Sequence, residues 1–163
     1  MELKNKVLFV CMGNICRSPT GEGVFKHYVN ERGLNSRFEI DSAGTIGTHA
    51  GANADERMSA AAERRGYQLL SRARQVTRED LDTFDLIIAM DQDNLSVLVG
   101  LAGGPRENIR LLGSFLPDVA DYKTAPSVPD PYYGGAAGFE QVLDMIESAS
   151  EGISNYCLAL TEG

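Results

Sequence analysis

With 163 residues, 43% of them hydrophobic and 23% charged, the chain has the composition of an ordinary globular protein and is far from a disordered or collagen-like one. Its formal net charge of −8 argues against the sequence-independent attraction to nucleic acid or anionic lipid that clustered Lys and Arg provide. No apolar run reaches the roughly 18 residues of a membrane span, and the opening residues MELKNK carry no secretory signal pattern. The expectation is therefore one cytoplasmic domain, residues 1–163, with no membrane or nucleic-acid partner.

The apolar, β-branched run KVLFV at 6–10 predicts a buried strand. After a short loop, Ser18-Pro19 predicts a helix start, because proline at the first helical position needs no N–H partner and has its φ preset. Val24, Phe25, Tyr28 and Val29 then share one helical face, and Gly33 is the expected stop. Gly21 and Gly23 stand where better helix formers would fit, at a cost of about 1 kcal/mol each. FEIDSA at 38–43 predicts a second strand, followed by the turn-rich loop GTIGTHAGAN.

Residues 55–65, DERMSAAAERR, predict a helix ending at Gly66. FDLIIAM at 84–90 is the most strand-like run, DQDNLSVLVGLA predicts a helix, and NIRLL at 108–112 predicts a shorter fourth strand. Residues 114–135 hold Pro117, Pro126, Pro129 and Pro131, so an irregular, exposed loop is expected there. From Ala136 onward Phe139, Val142, Leu143, Ile146, Ile153, Tyr156 and Leu160 recur at helical spacing and read as a core-facing stripe. Alternating strands and helices predict an α/β three-layer sandwich, a four-stranded parallel sheet with helices on both faces. In such sheets ligands bind outside the carboxyl ends of the strands, and Cys11 lies at the end of the first.

Cysteines number three, an odd count that argues against a disulfide framework. Two of them, Cys11 and Cys16, stand in VCMGNICRSP. Successive backbone N–H groups leading into a helix N-terminus form an anion site, since unpaired donors and the positive end of the dipole coincide there. Arg17 adds a planar fork that can grip two oxygens of a phosphate. The same field favours the ionised, nucleophilic form of a thiol at its near end. Dinucleotide and nucleotide-loop glycine patterns are absent. His27 and His49 are too few to complete a zinc site with the cysteines, and the CGSCW signature of a papain-like protease is missing.

VCMGNICRSP, with DSAGT at 41–45, ARQVT at 73–77, FDLIIAMDQDN at 84–94 and DPYYGG at 130–135, resembles the low-molecular-weight protein tyrosine phosphatases, in the same order through essentially the whole chain. The resemblance implies hydrolysis of phosphotyrosine and aryl phosphate monoesters through a cysteinyl-phosphate intermediate, without cofactor or metal. It assigns Cys11 as nucleophile, Arg17 with the amides of Met12, Gly13, Asn14, Ile15 and Cys16 as the phosphate grip, and Asp130 as general acid and base. Ser18 would hydrogen-bond the thiolate, Asn14 would hold a strained loop backbone, and Ser42 would brace Asn14. Tyr132 and Tyr133 would wall the substrate cleft, and Cys16 would guard Cys11 against over-oxidation.

Members of that family often carry an aromatic residue where this chain has TIGTHAG, so Thr48, with Ile46 or His49, is expected at the cleft mouth. Members often carry a histidine where this chain has the serine of SRARQ, 71–75, so a supporting histidine contact near Asp91 is missing or replaced. The implied partners are phosphotyrosine proteins and a tyrosine kinase, and the implied state is a monomer or weak dimer. Arsenate reductases share the loop, but they need further cysteines that residues 84–130 lack. A non-catalytic phosphotyrosine-binding module would not need Cys11, Arg17 and Asp130 together.

Overall fold

KVLFV lies within the central strand β1 (Asn5–Cys11) of a computed structural model that describes residues 4–119, 125–132 and 134–162. β1 pairs in parallel with β2 (Phe38–Gly44) on one side and β3 (Leu86–Ala89) on the other, and β3 pairs in parallel with β4 (Ile109–Leu111), giving the order β2-β1-β3-β4. Strand side chains alternate between faces, and the core divides accordingly. Val7 and Phe9 pack with α1 (Arg17–Glu31), α2 (Glu56–Glu63) and α5 (Ala136–Glu162), whereas Leu8, Val10, Ile87 and Ala89 pack with α3 (Arg78–Thr83) and α4 (Gln92–Ala102). The molecule is thus the expected three-layer α/β sandwich around a four-stranded parallel sheet. No helix among the described residues is long and apolar enough to cross a membrane.

The chain leaves β1 toward β2 and later returns on β1's other side as β3, so neighbouring connections diverge between β1 and β3. That divergence opens a crevice at the carboxyl ends of those two strands, where Cys11 and Asp91 sit. Three details differ from the sequence reading. α3 was not anticipated; it is started by a capping box, in which Thr77 Oγ1 accepts from Asp80 N–H at 3.2 Å and an Asp80 carboxylate oxygen accepts from Thr77 N–H at 2.8 Å.

Leu160 does not face the core but is 52% exposed. With 27 residues, α5 runs about 40 Å at 1.5 Å per residue and outreaches the sheet. The proline-rich loop is not exposed throughout, because Val128 is fully buried and its N–H donates to the Met90 carbonyl at 2.7 Å. This contact pulls the loop across the end of β3.

Gly21 and Gly23 are not helix-weakening accidents. A Cβ on Gly21 would lie 2.5 Å from Phe9 Cδ1, and one on Gly23 would lie 2.7 Å from Leu69 Cδ2. Gly21 therefore sets how closely α1 can approach β1, and α1 carries the N-terminus that meets the crevice. Gly21→Ala should destabilise the fold by up to about 2 kcal/mol, the ~1–3 kcal/mol of overpacking less the roughly 1 kcal/mol of helix propensity. Thermal unfolding checks this: the midpoint should fall, and a rise would show that propensity outweighs the contact with Phe9.

Candidate active site

The five residues between β1 and α1 form a loop in which three carbonyls are engaged elsewhere. Met12 C=O accepts from Ile46 N–H at 3.1 Å, Ile15 C=O accepts from Asp55 N–H at 2.8 Å, and Cys16 C=O accepts from Thr20 N–H at 3.3 Å. Among the described residues the N–H groups of Gly13 through Cys16 donate to no acceptor. A loop with used acceptors and unused donors at a helix N-terminus suits an anion. Close approach by β2 makes it possible, since a Cβ on Gly44 would lie 2.7 Å from Met12 O.

Asn14 takes φ +58°, a left-handed conformation that asparagine tolerates better than most residues. Its side chain is tied at both ends: Oδ1 accepts from Arg74 N–H at 3.0 Å, and Nδ2 donates to Ser18 Oγ at 2.7 Å. Ser18 Oγ lies 3.0 Å from Cys11 Sγ, and Ser18 N–H points to the same sulfur at 3.4 Å. Because Asn14 donates to the Ser18 oxygen, the hydroxyl proton is left for one of two acceptors, the sulfur at 3.0 Å or the Ala43 carbonyl at 3.3 Å. Arg74 is itself clamped by Asp41 at 3.0 Å and Asp80 at 2.8 Å. Burial opposes the charge on both Arg74 and Asp80, yet the pairing wins, holding the arginine above and the aspartate below their ordinary ranges.

Arg17 is buried, and its Nη1 donates to Asp91 Oδ2 at 2.6 Å and to the Val128 carbonyl at 3.0 Å. Its Nη2 lies 3.7 Å from Asp130 Oδ2. Asp91 meanwhile caps α4, its Oδ1 accepting from Asn94 N–H at 2.8 Å, so the guanidinium is oriented by a carboxylate fixed at the end of β3. Asp130 Oδ1 accepts from Tyr132 N–H at 3.0 Å. Cys11, Met12, Gly13, Ile15, Cys16, Arg17, His49, Asp130 and Tyr132 line one cleft of about 260 Å³.

Two expected roles change. Ser42 does not brace Asn14; its hydroxyl donates to Glu22 Oε1 at 2.7 Å, because the buried face of α1 presents a carboxylate, a stronger acceptor than an amide. Thr48 is exposed and does not line the cleft, and His49 takes that place. Turn bonds from Ala50 N–H to Gly47 O and from Ala52 N–H to His49 O fold this segment, and His49 Cδ2 comes within 3.0 Å of where a Gly13 Cβ would sit. Tyr133 lies outside the described residues.

The sequence reading assigned no role to Arg74 and saw Asp91 only through a missing histidine. For Asp91 a signal existed, an aspartate at the carboxyl end of a predicted parallel strand and the start of a predicted helix. Arg74 carried none, since an arginine in a loop is ordinarily solvated.

Comparison with known proteins places these residues in context. A family model described as low molecular weight phosphotyrosine protein phosphatase matches residues 6–159. A low molecular weight protein-tyrosine-phosphatase of Streptomyces coelicolor is 46% identical over 150 residues, 91% of this chain and 90% of that one. The human low molecular weight phosphotyrosine protein phosphatase is 40% identical over 139 residues, 83% of this chain and 85% of that one. A crystal structure of a protein tyrosine phosphatase from Entamoeba histolytica, with Hepes in its active site, superposes with a TM-score of 0.87 at 39% identity, covering 96% of this chain and 98% of that one.

Burial pushes the Cys16 thiol up to about 12, with the negative charges of Asp55, Cys11 and Asp130 adding to the effect, and burial also pushes Cys157 up to about 12. Both therefore stay protonated through the range in which an ordinary thiol ionises, near pH 8.5. Iodoacetamide labelling of the folded protein between about pH 6 and pH 10, read by mass spectrometry, should leave Cys16 and Cys157 unmodified. Labelling of either at the rate of a free thiol near pH 9 would contradict this.

Proposed function

Since the chain belongs to the low molecular weight protein-tyrosine phosphatase family and is a phosphoric monoester hydrolase, we propose that Cys11, Arg17 and Asp130 carry out its reaction in the cleft they share. The observation that carries this reading is their convergence: an anion loop, a buried arginine and a carboxylate 3.7 Å from that arginine, with a cysteine at the loop's root. The phosphate dianion would be gripped by the loop amides and Arg17 while Asp91 holds the guanidinium in plane. Cys11 thiolate attacks phosphorus, the bond to the aryl oxygen breaks, and Asp130 gives its proton to that oxygen, so a phenol leaves.

In the second step Asp130, now ionised, takes a proton from water. The water oxygen bonds to phosphorus, the S–P bond breaks, and inorganic phosphate departs. Ser18 donates its hydroxyl proton toward the departing sulfur, and Asn14 supplies the geometry for that donation. Tyr132 and His49 would wall the aromatic ring of the substrate.

The same proposal covers finer points. The partners are proteins carrying phosphotyrosine, with a tyrosine kinase as their source; residues 1–163 form one domain; and the protein acts in the cytoplasm as a monomer or weak dimer. Cys16 is a guard for Cys11, beside which it lines the cleft. A sulfenic acid formed on Cys11 by a peroxide would condense with the Cys16 thiol, releasing water, and a dithiol would reduce the resulting disulfide.

Cys11→Ser should abolish turnover of an aryl phosphate, while a metal chelator should leave the wild-type rate unchanged; full activity in the variant rules the mechanism out. Asp130→Ala should still bind inorganic phosphate but lose about 10²–10⁴-fold in kcat/KM on phenyl phosphate, and far less on 4-nitrophenyl phosphate, whose phenolate leaves readily. An equal loss on both would remove Asp130 from the role of acid.

A further inference from the structure

Arg57, in the first turn of α2, sits between the two loops that must cooperate. On one side its Nε and Nη2 donate to Asp55 Oδ1 and Oδ2 at 3.3 and 3.1 Å. Asp55 is tied to the phosphate loop, its N–H donating to the Ile15 carbonyl at 2.8 Å, and its carboxylate caps α2 through Arg57 N–H and Met58 N–H. On the other side the Arg57 guanidinium carbon lies 5.2 Å from the centre of the Tyr132 ring and 5.1 Å from that of Phe139. These two rings flank the acid loop: Tyr132 follows Asp130 by two residues and donates its N–H to the Asp130 carboxylate, and Phe139 is buried in the first turns of α5.

We propose that Arg57 is a positioning residue for the general acid, a bracket that fixes the Asp130–Tyr132 loop to the phosphate loop through Asp55. This rests on the reading of Asp130 as acid and adds to it a cause for the acid's placement. The chemistry suits an arginine. Its fork engages both oxygens of one carboxylate while the guanidinium lies over two aromatic rings, a pair of contacts that a lysine cannot make together. An acid works only when its proton is within hydrogen-bond reach of the leaving oxygen, and a loop 111 residues downstream of Arg17, the separation across which Val128 meets it, has to be held there by tertiary contacts. Arg57 links the phosphate grip and the proton donor, which are made by distant segments.

A role through Asp130 differs in its signature from a role in binding phosphate or in stability. Arg57→Met keeps a long apolar stem against the two rings and removes both the fork and the charge. It should lower kcat/KM for phenyl phosphate roughly tenfold, a part of the ~10²–10⁴ that a general acid supplies, and change kcat/KM for 4-nitrophenyl phosphate less than about twofold. Competitive inhibition by inorganic phosphate should be unaltered. In an Asp130→Ala background the same substitution should have no further effect on phenyl phosphate, since the acid it positions is gone.

Equal losses on the two esters, weaker inhibition by phosphate, or a loss that multiplies with that of Asp130→Ala would each overturn the proposal. If Arg57→Met does not fold, Arg57→Lys, which keeps the cation without the fork, carries the same test with the same outcomes. Failure of the acid reading itself is seen separately, in the Asp130→Ala single variant, as a loss that does not depend on the leaving group.

Discussion

Asn14, held at φ +58° between β1 and α1, is the bend on which the arrangement of the cleft hangs. Without it the chain could not turn from the end of the central strand into a helix while keeping a run of N–H groups free for an anion. Left-handed backbone costs a non-glycine residue free energy, and such strain persists only where the surroundings over-determine it. Here the surroundings are explicit. Arg74 N–H holds one end of the asparagine amide and Ser18 Oγ the other, and Arg74 is pinned by two carboxylates. The same bonds that hold the strained turn also place the Ser18 hydroxyl 3.0 Å from the Cys11 sulfur, so the loop geometry and the surroundings of that sulfur have one origin.

The electrostatics of the molecule make this local provision necessary. A protein of net charge −8 does not draw a phosphate dianion by its overall field. Asp55, Asp91 and Asp130 all lie near the cleft, and attraction must therefore come from donors at contact distance: the loop amides, the start of α1 and Arg17. Two of those carboxylates are already committed, Asp91 to Arg17 and the cap of α4, Asp55 to Arg57 and the cap of α2. Pairing them with cations and helix N-termini limits their repulsion of the substrate while Asp130, 3.7 Å from Arg17, stays at the cleft.

Much of this was legible in the residues. KVLFV, FEIDSA and FDLIIAM announce strands because buried parallel strands are continuous apolar runs, and Cys11 with Arg17 before Ser18-Pro19 announces an anion loop because each residue has one physical job there. What was not legible depended on side chains meeting across the fold. Gly21 reads as a weak helix residue until Phe9 is seen 2.5 Å from its missing Cβ, and Ser42 reads as a partner for Asn14 until Glu22 is found within reach. Thr48 occupies the expected position in sequence, but the turn at 47–52 brings His49 to the cleft. α3 was missed although Thr77-Arg78-Glu79-Asp80 carries a capping pattern, because only six residues follow its cap and they offer little apolar periodicity.

The central claim is that phosphorus passes through the sulfur of Cys11 in the grip of Arg17 and the loop amides. The most direct measurement is rapid acid quench of the enzyme during turnover of 4-nitrophenyl phosphate, followed by peptide mass spectrometry to locate any phosphoryl group. The account predicts one S-phosphocysteine per active chain, on Cys11, formed and lost at rates that match turnover. Turnover with no phosphorylated cysteine at any quench time, or phosphate carried on another residue, would contradict it.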